Sequence, residues 1–229
     1  LVSGNDGTNA VTYLYRNQGD TAGTFVQDTS QNIEGIYYNS NAWMDYDNDG
    51  DLDFVQAGRK NDGSRVTQLW KNGGTPNYVF TKDADLAIGV QRSAAAWGDY
   101  DNDGKVDLIV SGRDLGSSLY TRTYRNLGGG LFGPQQDLPG CYESGLGWVD
   151  YDKDGDLDLV LNGYNSAGSA YTKLFRNIEV DTLYFSTNTA PQPPANITVG
   201  YEFKDYELTV TWNDGTDTES TNVNQLYYN

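Results

Sequence analysis

Trp43-Met44-Asp45-Tyr46-Asp47-Asn48-Asp49-Gly50-Asp51-Leu52-Asp53 returns 54 residues later as Trp97-Gly98-Asp99-Tyr100-Asp101-Asn102-Asp103-Gly104-Lys105-Val106-Asp107. After a further 51 residues it returns again, as Trp148-Val149-Asp150-Tyr151-Asp152-Lys153-Asp154-Gly155-Asp156-Leu157-Asp158. Other landmarks keep this period. A glycine closes the segment after each window (Gly58, Gly112, Gly163, with Gly4 before them), then a basic-Asn pair (Arg16-Asn17, Lys71-Asn72, Arg125-Asn126, Arg176-Asn177), then a phenylalanine (Phe25, Phe80, Phe132, Phe185). Four units are visible and the first has no Asp window, so the chain is expected to begin inside a repeat.

Each unit reads as four short strands, in the second unit roughly 41–45, 52–58, 66–71 and 78–81. The runs Leu108-Ile109-Val110 and Leu159-Val160-Leu161 are continuously apolar, as in a strand buried on both faces. Thr67-Gln68-Leu69-Trp70 and Thr172-Lys173-Leu174-Phe175 alternate more, as toward an edge. A four-stranded unit of about 50 residues that must stack on its neighbours to bury both faces is a propeller blade, and a solenoid repeat is usually shorter. The expected fold is therefore all-β: a partial β-propeller of four-stranded blades with Ca loops, plus incomplete β-sandwich strands. The blades are placed at 1–30 (partial), 31–84, 85–136 and 137–186. Small residues before each Trp (Ala94-Ala95-Ala96, Gly145, Gly147) fit a crowded first strand.

Composition agrees. Of the 32 acidic residues 26 are Asp and 6 are Glu, and 14 of the Asp lie in the three windows. Asp favours turns and metal loops, whereas Glu favours helices. A net charge of -17 gives no basic footprint for nucleic acid, and a mean hydropathy of -0.64 leaves no membrane span. One cysteine, Cys141, excludes an internal disulfide framework. The absence of His removes the commonest general base and most zinc chemistry.

Each window carries Asp at positions 1, 3, 5 and 9 and Gly at position 6. Hard cations take several oxygen ligands, and calcium accepts six to eight in a flexible geometry. Side chains at 1, 3 and 5 converge when a tight turn wraps an ion, and Gly at 6 permits the reversal. Position 7 offers its backbone carbonyl, which explains why Asp51, Lys105 and Asp156 are all tolerated there. The metal-ligating set is Asp45, Asp47, Asp49, Asp51 and Asp53; Asp99, Asp101, Asp103, Lys105 and Asp107; and Asp150, Asp152, Asp154, Asp156 and Asp158. Ordinary turns need no such crowd of mutually repelling carboxylates. An EF-hand needs a bidentate Glu at position 12, where this chain has Gln56, Val110 and Leu161. Three Ca2+ ions, structural in role, would lower the formal charge from -17 to -11.

The repeated Trp-x-Asp-Tyr-Asp-x-Asp-Gly-x-x-Asp followed by an apolar strand resembles the FG-GAP/VCBS repeat family, the calcium-loop propellers related to the integrin α-subunit head. The resemblance covers roughly residues 1–186. It implies a propeller of about seven blades, more than this chain holds, so that others stand upstream in a longer parent or in another chain. It also implies an extracellular or cell-surface location and roles in adhesion or carbohydrate binding. Ligand duty carries over to Asp45, Asp47, Asp49 and Asp53, and to their counterparts in the other two loops.

Beyond Phe185 the pattern stops. Residues 187–195 form a Pro-rich linker, and 196–229, with Leu208-Thr209-Val210-Thr211-Trp212, resemble the start of a fibronectin type III domain too short to complete its sandwich. Function is expected to be non-enzymatic: binding of a protein or carbohydrate ligand at a cell surface, with self-assembly as a further property. Tyr37, Tyr38, Gln91, Arg92, Tyr142 and Glu143, which vary while the Asp windows do not, are the candidate contact residues. Ordinary loop packing is their simpler explanation. Two alternatives stand beside this reading: a structural subunit of a polymeric surface assembly, and part of a polysaccharide-active enzyme.

Overall fold

A computed structural model describes residues 1–19, 23–76 and 78–178, and the backbone of 195–202 and 207–213. Among these residues there are strands and turns and no helix, so the fold is all-β. The chain forms two compact units, Leu1–Glu179 and Val180–Asn229.

The first unit opens with two small antiparallel pairs: β1 (Val2–Asn5) with β2 (Ala10–Tyr13), and β3 (Tyr15–Asn17) with β4 (Phe25–Gln27). Then come β5 (Tyr37–Met44), β6 (Asp53–Arg59), β7 (Arg65–Asn72), β8 (Phe80–Gly98), β9 (Asp107–Arg113), β10 (Leu119–Gly128) and β11 (Leu131–Leu138), hydrogen-bonded in chain order as one seven-stranded antiparallel sheet. A three-stranded sheet follows, from β12 (Tyr142–Val149), β13 (Asp158–Tyr164) and β14 (Ala170–Phe175). Among the described residues no sheet closes on itself. In the second unit β15 (Ala195–Glu202) pairs with β16 (Glu207–Asn213). One hairpin of this kind does not single out a fibronectin type III domain. Phe185 and the Pro-rich stretch up to Pro194 lie outside the described residues.

The repeat maps onto the pairing register. Trp43 faces Phe54, which faces Trp70; Trp97 faces Leu108, which faces Tyr124; Trp148 faces Leu159, which faces Phe175. Each repeat thus builds the same ladder of first, second and third strands. The first strand starts earlier than the sequence suggests, at Tyr37, because a bulge between Tyr37 and Ser40 extends the pairing. The fourth strand also differs. Phe80 to Val90 of β8 pair with β7, and Gln91 to Gly98 pair with β9, so one 19-residue strand ends one repeat and begins the next.

The continuous apolar run of the second strand has the expected consequence. Val55 and Ala57 of β6 lie in a core shared with Val110 and Leu108 of the next repeat, while Phe54 packs on Trp70 and Phe80 on the other face. All four β6 residues from Phe54 to Ala57 are fully buried. Burying each large apolar side chain contributes about 1.5–3 kcal/mol. Neighbouring repeats are further tied by hydrogen bonds: Trp97 Nε1 donates to the Ala42 carbonyl (3.1 Å) and Ser93 Oγ to that of Ala57 (2.9 Å). This nearest-neighbour stacking is what a partial propeller requires.

Candidate metal centres

In each repeat the Asp window joins the first strand to the second. Met44 pairs with Asp53, Gly98 with Asp107 and Val149 with Asp158, so the sheet forces the two ends of every window together. Position 9 is thereby already a strand residue, and Asp53, Asp107 and Asp158 have no solvent exposure. Between the ends the chain reverses at two left-handed residues. One is position 4, with φ of 62° at Asn48, 54° at Asn102 and 61° at Lys153; the other is the position-6 glycine, at 92°, 80° and 96°. A side chain at position 6 would be strained.

The loop winds around its first carboxylate. Asp45 accepts from the backbone N–H of Asp49 (3.1 Å) and Gly50 (2.9 Å), and Asp99 from those of Asp103 and Gly104 at the same distances. Asp150 accepts from Gly155 N–H at 3.3 Å. This winding brings positions 1, 3 and 9 together: Asp45, Asp47 and Asp53; Asp99, Asp101 and Asp107; Asp150, Asp152 and Asp158 each place carboxylate oxygens within 4.8 Å of one another. Position 5 stands outside these triads. Asp49, Asp103 and Asp154 each accept the N–H of the residue two places on, at 3.0–3.1 Å. At position 7 the side chains also turn elsewhere. Lys105 pairs with Asp103 (2.8 Å) and Asp156 accepts from Asn102 Nδ2 (2.7 Å). That leaves the backbone carbonyl as the oxygen that position 7 has in common across the repeats.

Several oxygens of the triads are buried without a hydrogen-bond donor: Asp47 Oδ1, Asp53 Oδ2, Asp101 Oδ1 and Asp150 Oδ1. An orphaned buried carboxylate oxygen is costly, and three copies of the same arrangement fit a cation whose ligands are hard oxygens. The electrostatics agree. Burial, with the charges of Asp47 and Asp49 adding to it, pushes the Asp53 carboxyl up to about 6, and burial with Asp101 and Asp103 does the same to Asp107. Burial also raises Asp99. A divalent ion would relieve this repulsion, and an all-oxygen, protein-built cage suits calcium better than magnesium.

The basic-Asn pair, a bare landmark in the sequence, proves to belong to the loops. Lys71 ion-pairs with Asp47 and Asp49. Arg125 reaches Asp101 (2.6 Å) and Asp103 (3.1 Å), and Arg176 reaches Asp152 (2.6 Å) and Asp154 (3.0 Å). In Asp47 and Asp101 the cation holds Oδ2 while Oδ1 is the orphaned oxygen, so the basic residue orients a ligand without consuming it. The adjoining Asn gives its backbone N–H to position 9: Asn72 to Asp53, Asn126 to Asp107 and Asn177 to Asp158, at 2.7–2.8 Å. The fixed offset between window and pair was the signal for both roles.

The candidate contact residues lie at the opposite end of the same first strands. Tyr38, Arg92 and Glu143 occupy equivalent bulges and share left-handed φ of 50°, 50° and 48°. They form a row across three repeats: the Arg92 guanidinium lies 5.0 Å over the Tyr38 ring and ion-pairs with Glu143. Beside them Arg59 lies 5.5 Å over Tyr37 and Arg113 4.2 Å over Tyr142. Gln91 is buried rather than displayed.

A family model described as an FG-GAP-like repeat matches residues 45–110 and again 99–161. Both matches begin at the first Asp of a window and end in the second strand of the following repeat, and together they span just over half of the chain. No curated protein and no solved structure matches it. With three loops of one design at the spacing of those matches, the chain belongs to the FG-GAP-like repeat family.

Proposed function

We propose that this chain is a non-enzymatic, calcium-stabilised β-propeller segment of an extracellular or cell-surface protein, and that it presents a ligand-binding rim. The observation that carries the reading is the threefold convergence of Asp45/Asp47/Asp53 and their counterparts, with buried oxygens left unpaired. Asp45, Asp47 and Asp53, with Asp99, Asp101 and Asp107 and with Asp150, Asp152 and Asp158, would hold the ions by carboxylate, and position 7 by its carbonyl. Calcium supplies charge neutralisation and locks the bend between the first two strands of each blade. The metals on this reading are structural. Cys141 fits no nucleophilic role, since it is buried and its thiol is pushed up by that burial.

The row Tyr38–Arg92–Glu143 supports ligand contact. Three non-glycine residues held in left-handed backbone at equivalent bulges are a cost of order 1 kcal/mol each, and bulges of this kind re-aim side chains outward. Half-exposed Tyr38 offers a face for a sugar ring or a protein surface. The test is a glycan and surface-protein binding screen of the calcium-loaded protein beside its Tyr38→Ala and Arg92→Ala forms. Binding that both substitutions abolish supports the rim; binding that neither alters places the contact elsewhere.

A further inference from the structure

Asn126 touches two loops at once. Its backbone N–H donates to Asp107 Oδ1 of the second loop at 2.8 Å, while its Nδ2 donates to the Tyr46 carbonyl of the first loop, also at 2.8 Å. The same Nδ2 reaches the Val106 carbonyl (3.1 Å), and Oδ1 accepts from Gly128 N–H (2.9 Å), so the side chain is held on every side and is almost wholly buried. Tyr46 is the residue between Asp45 and Asp47, and its ring stacks on Trp97 of the next repeat, 5.9 Å between centroids at 16°. One repeat on, the arrangement recurs. Asn177 N–H donates to Asp158 (2.7 Å) and its Nδ2 to the Tyr100 carbonyl (2.7 Å), and Tyr100 stacks on Trp148 at 5.7 Å and 10°. A second strut, Asn102 Nδ2 to Asp156 Oδ1 at 2.7 Å, joins the second and third loops.

We infer that Asn126 and Asn177 are coupling residues that make the three loops bind calcium cooperatively rather than independently. The inference rests on the calcium reading above. An ion drawing Asp45 and Asp47 together fixes the peptide between them, and with it the Tyr46 carbonyl. That carbonyl fixes the Asn126 side chain, whose own backbone N–H orients Asp107, a carboxylate of the next triad. Filling the first loop therefore settles part of the ordering that the second loop must otherwise undergo on binding. Coupling is reciprocal by thermodynamic necessity, so the second loop assists the first equally. One buried hydrogen bond gained or lost in this way corresponds to a factor of about five in affinity.

The test is a calcium titration followed at the amide NMR signal of Gly104, which reports the second loop alone. Four proteins are compared: the parent, Asp47→Asn, Asn126→Ala and the double variant. Asn126→Ala keeps the backbone bond to Asp107 and removes the side-chain bonds to Tyr46, Val106 and Gly128, of which only the one to Tyr46 reaches the first loop. The expected result is that Asp47→Asn raises the Gly104 midpoint about five-fold in the parent and leaves it unmoved in the Asn126→Ala background. The same rise in both backgrounds, or none in the parent, overturns the inference while calcium binding stands. A Gly104 signal that ignores calcium overturns the calcium reading itself. Should Asn126→Ala not fold, the pair Asp101→Asn and Asn177→Ala, read at Gly155, makes the same comparison between the second and third loops. There Asn177→Ala is expected to shrink the midpoint shift, with Asn102 accounting for what remains.

Discussion

Lys153 occupies the left-handed loop position that Asn48 and Asn102 hold in the other copies, with φ of 61° against 62° and 54°. Asn adopts this backbone more readily than Lys. Lys153→Asn is therefore expected to stabilise the folded protein by about 1 kcal/mol, read from the midpoint of urea unfolding; an unchanged or lower midpoint counts against the loop geometry. Asp53 and Asp107 lead to a second expectation. Their folded-state carboxyls are raised to about 6, above the ordinary value near 4, so between pH 7 and 5 the folded state takes up protons that the unfolded chain does not. Stability in the absence of calcium should then rise as pH falls from 7 to 5, by on the order of 1 kcal/mol. With calcium the order should invert, because protons compete with the ion for the same oxygens. Denaturant melts at the two pH values, with and without chelator, measure both halves of this expectation.

At the scale of the element, the loop, the strand after it and the pair behind it act as one piece. Trp97 shows how two repeats are joined: its ring stacks on Tyr46, packs on Phe132 at 5.8 Å and donates through Nε1 to Ala42. Trp97→Ala should cost about 3 kcal/mol, seen as a lower midpoint with an unchanged m-value, whereas Trp97→Phe should recover most of the loss. Much of this element was legible in the residues. The Asp spacing located the loop, and Leu108-Ile109-Val110 marked a doubly buried strand, because burial on both faces removes the need for polar alternation. Two things were not legible. The join of two repeats inside β8 was hidden because no Gly or Pro marks a boundary between Phe80 and Gly98 beyond Gly89. Position 5 looked equivalent to positions 1 and 3, yet the groups that converge are positions 1, 3 and 9, with Asp49, Asp103 and Asp154 outside them. Spacing tells which carboxylates are near one another, but it is the local turn hydrogen bonds that decide where each points.

Across the whole molecule, acidity and stability are linked through the loops. A chain of formal charge -17 concentrates 14 carboxylates in three short windows, and in each window burial and neighbouring charge raise a carboxyl, Asp53, Asp107 and Asp156, a repulsion that a bound divalent ion would relieve. The positive charges of Lys71, Arg125 and Arg176 offset part of this, one per loop. Divalent ions bound only by the folded state add stability by mass action, about 2.7 kcal/mol per site at a hundredfold excess over Kd. The measurement that tests this most directly is thermal unfolding of the intact chain in saturating calcium, after chelation, and after calcium is restored. The account predicts a fall in the midpoint of roughly 10 °C or more on chelation, with recovery on restoring calcium; a midpoint indifferent to both would contradict it.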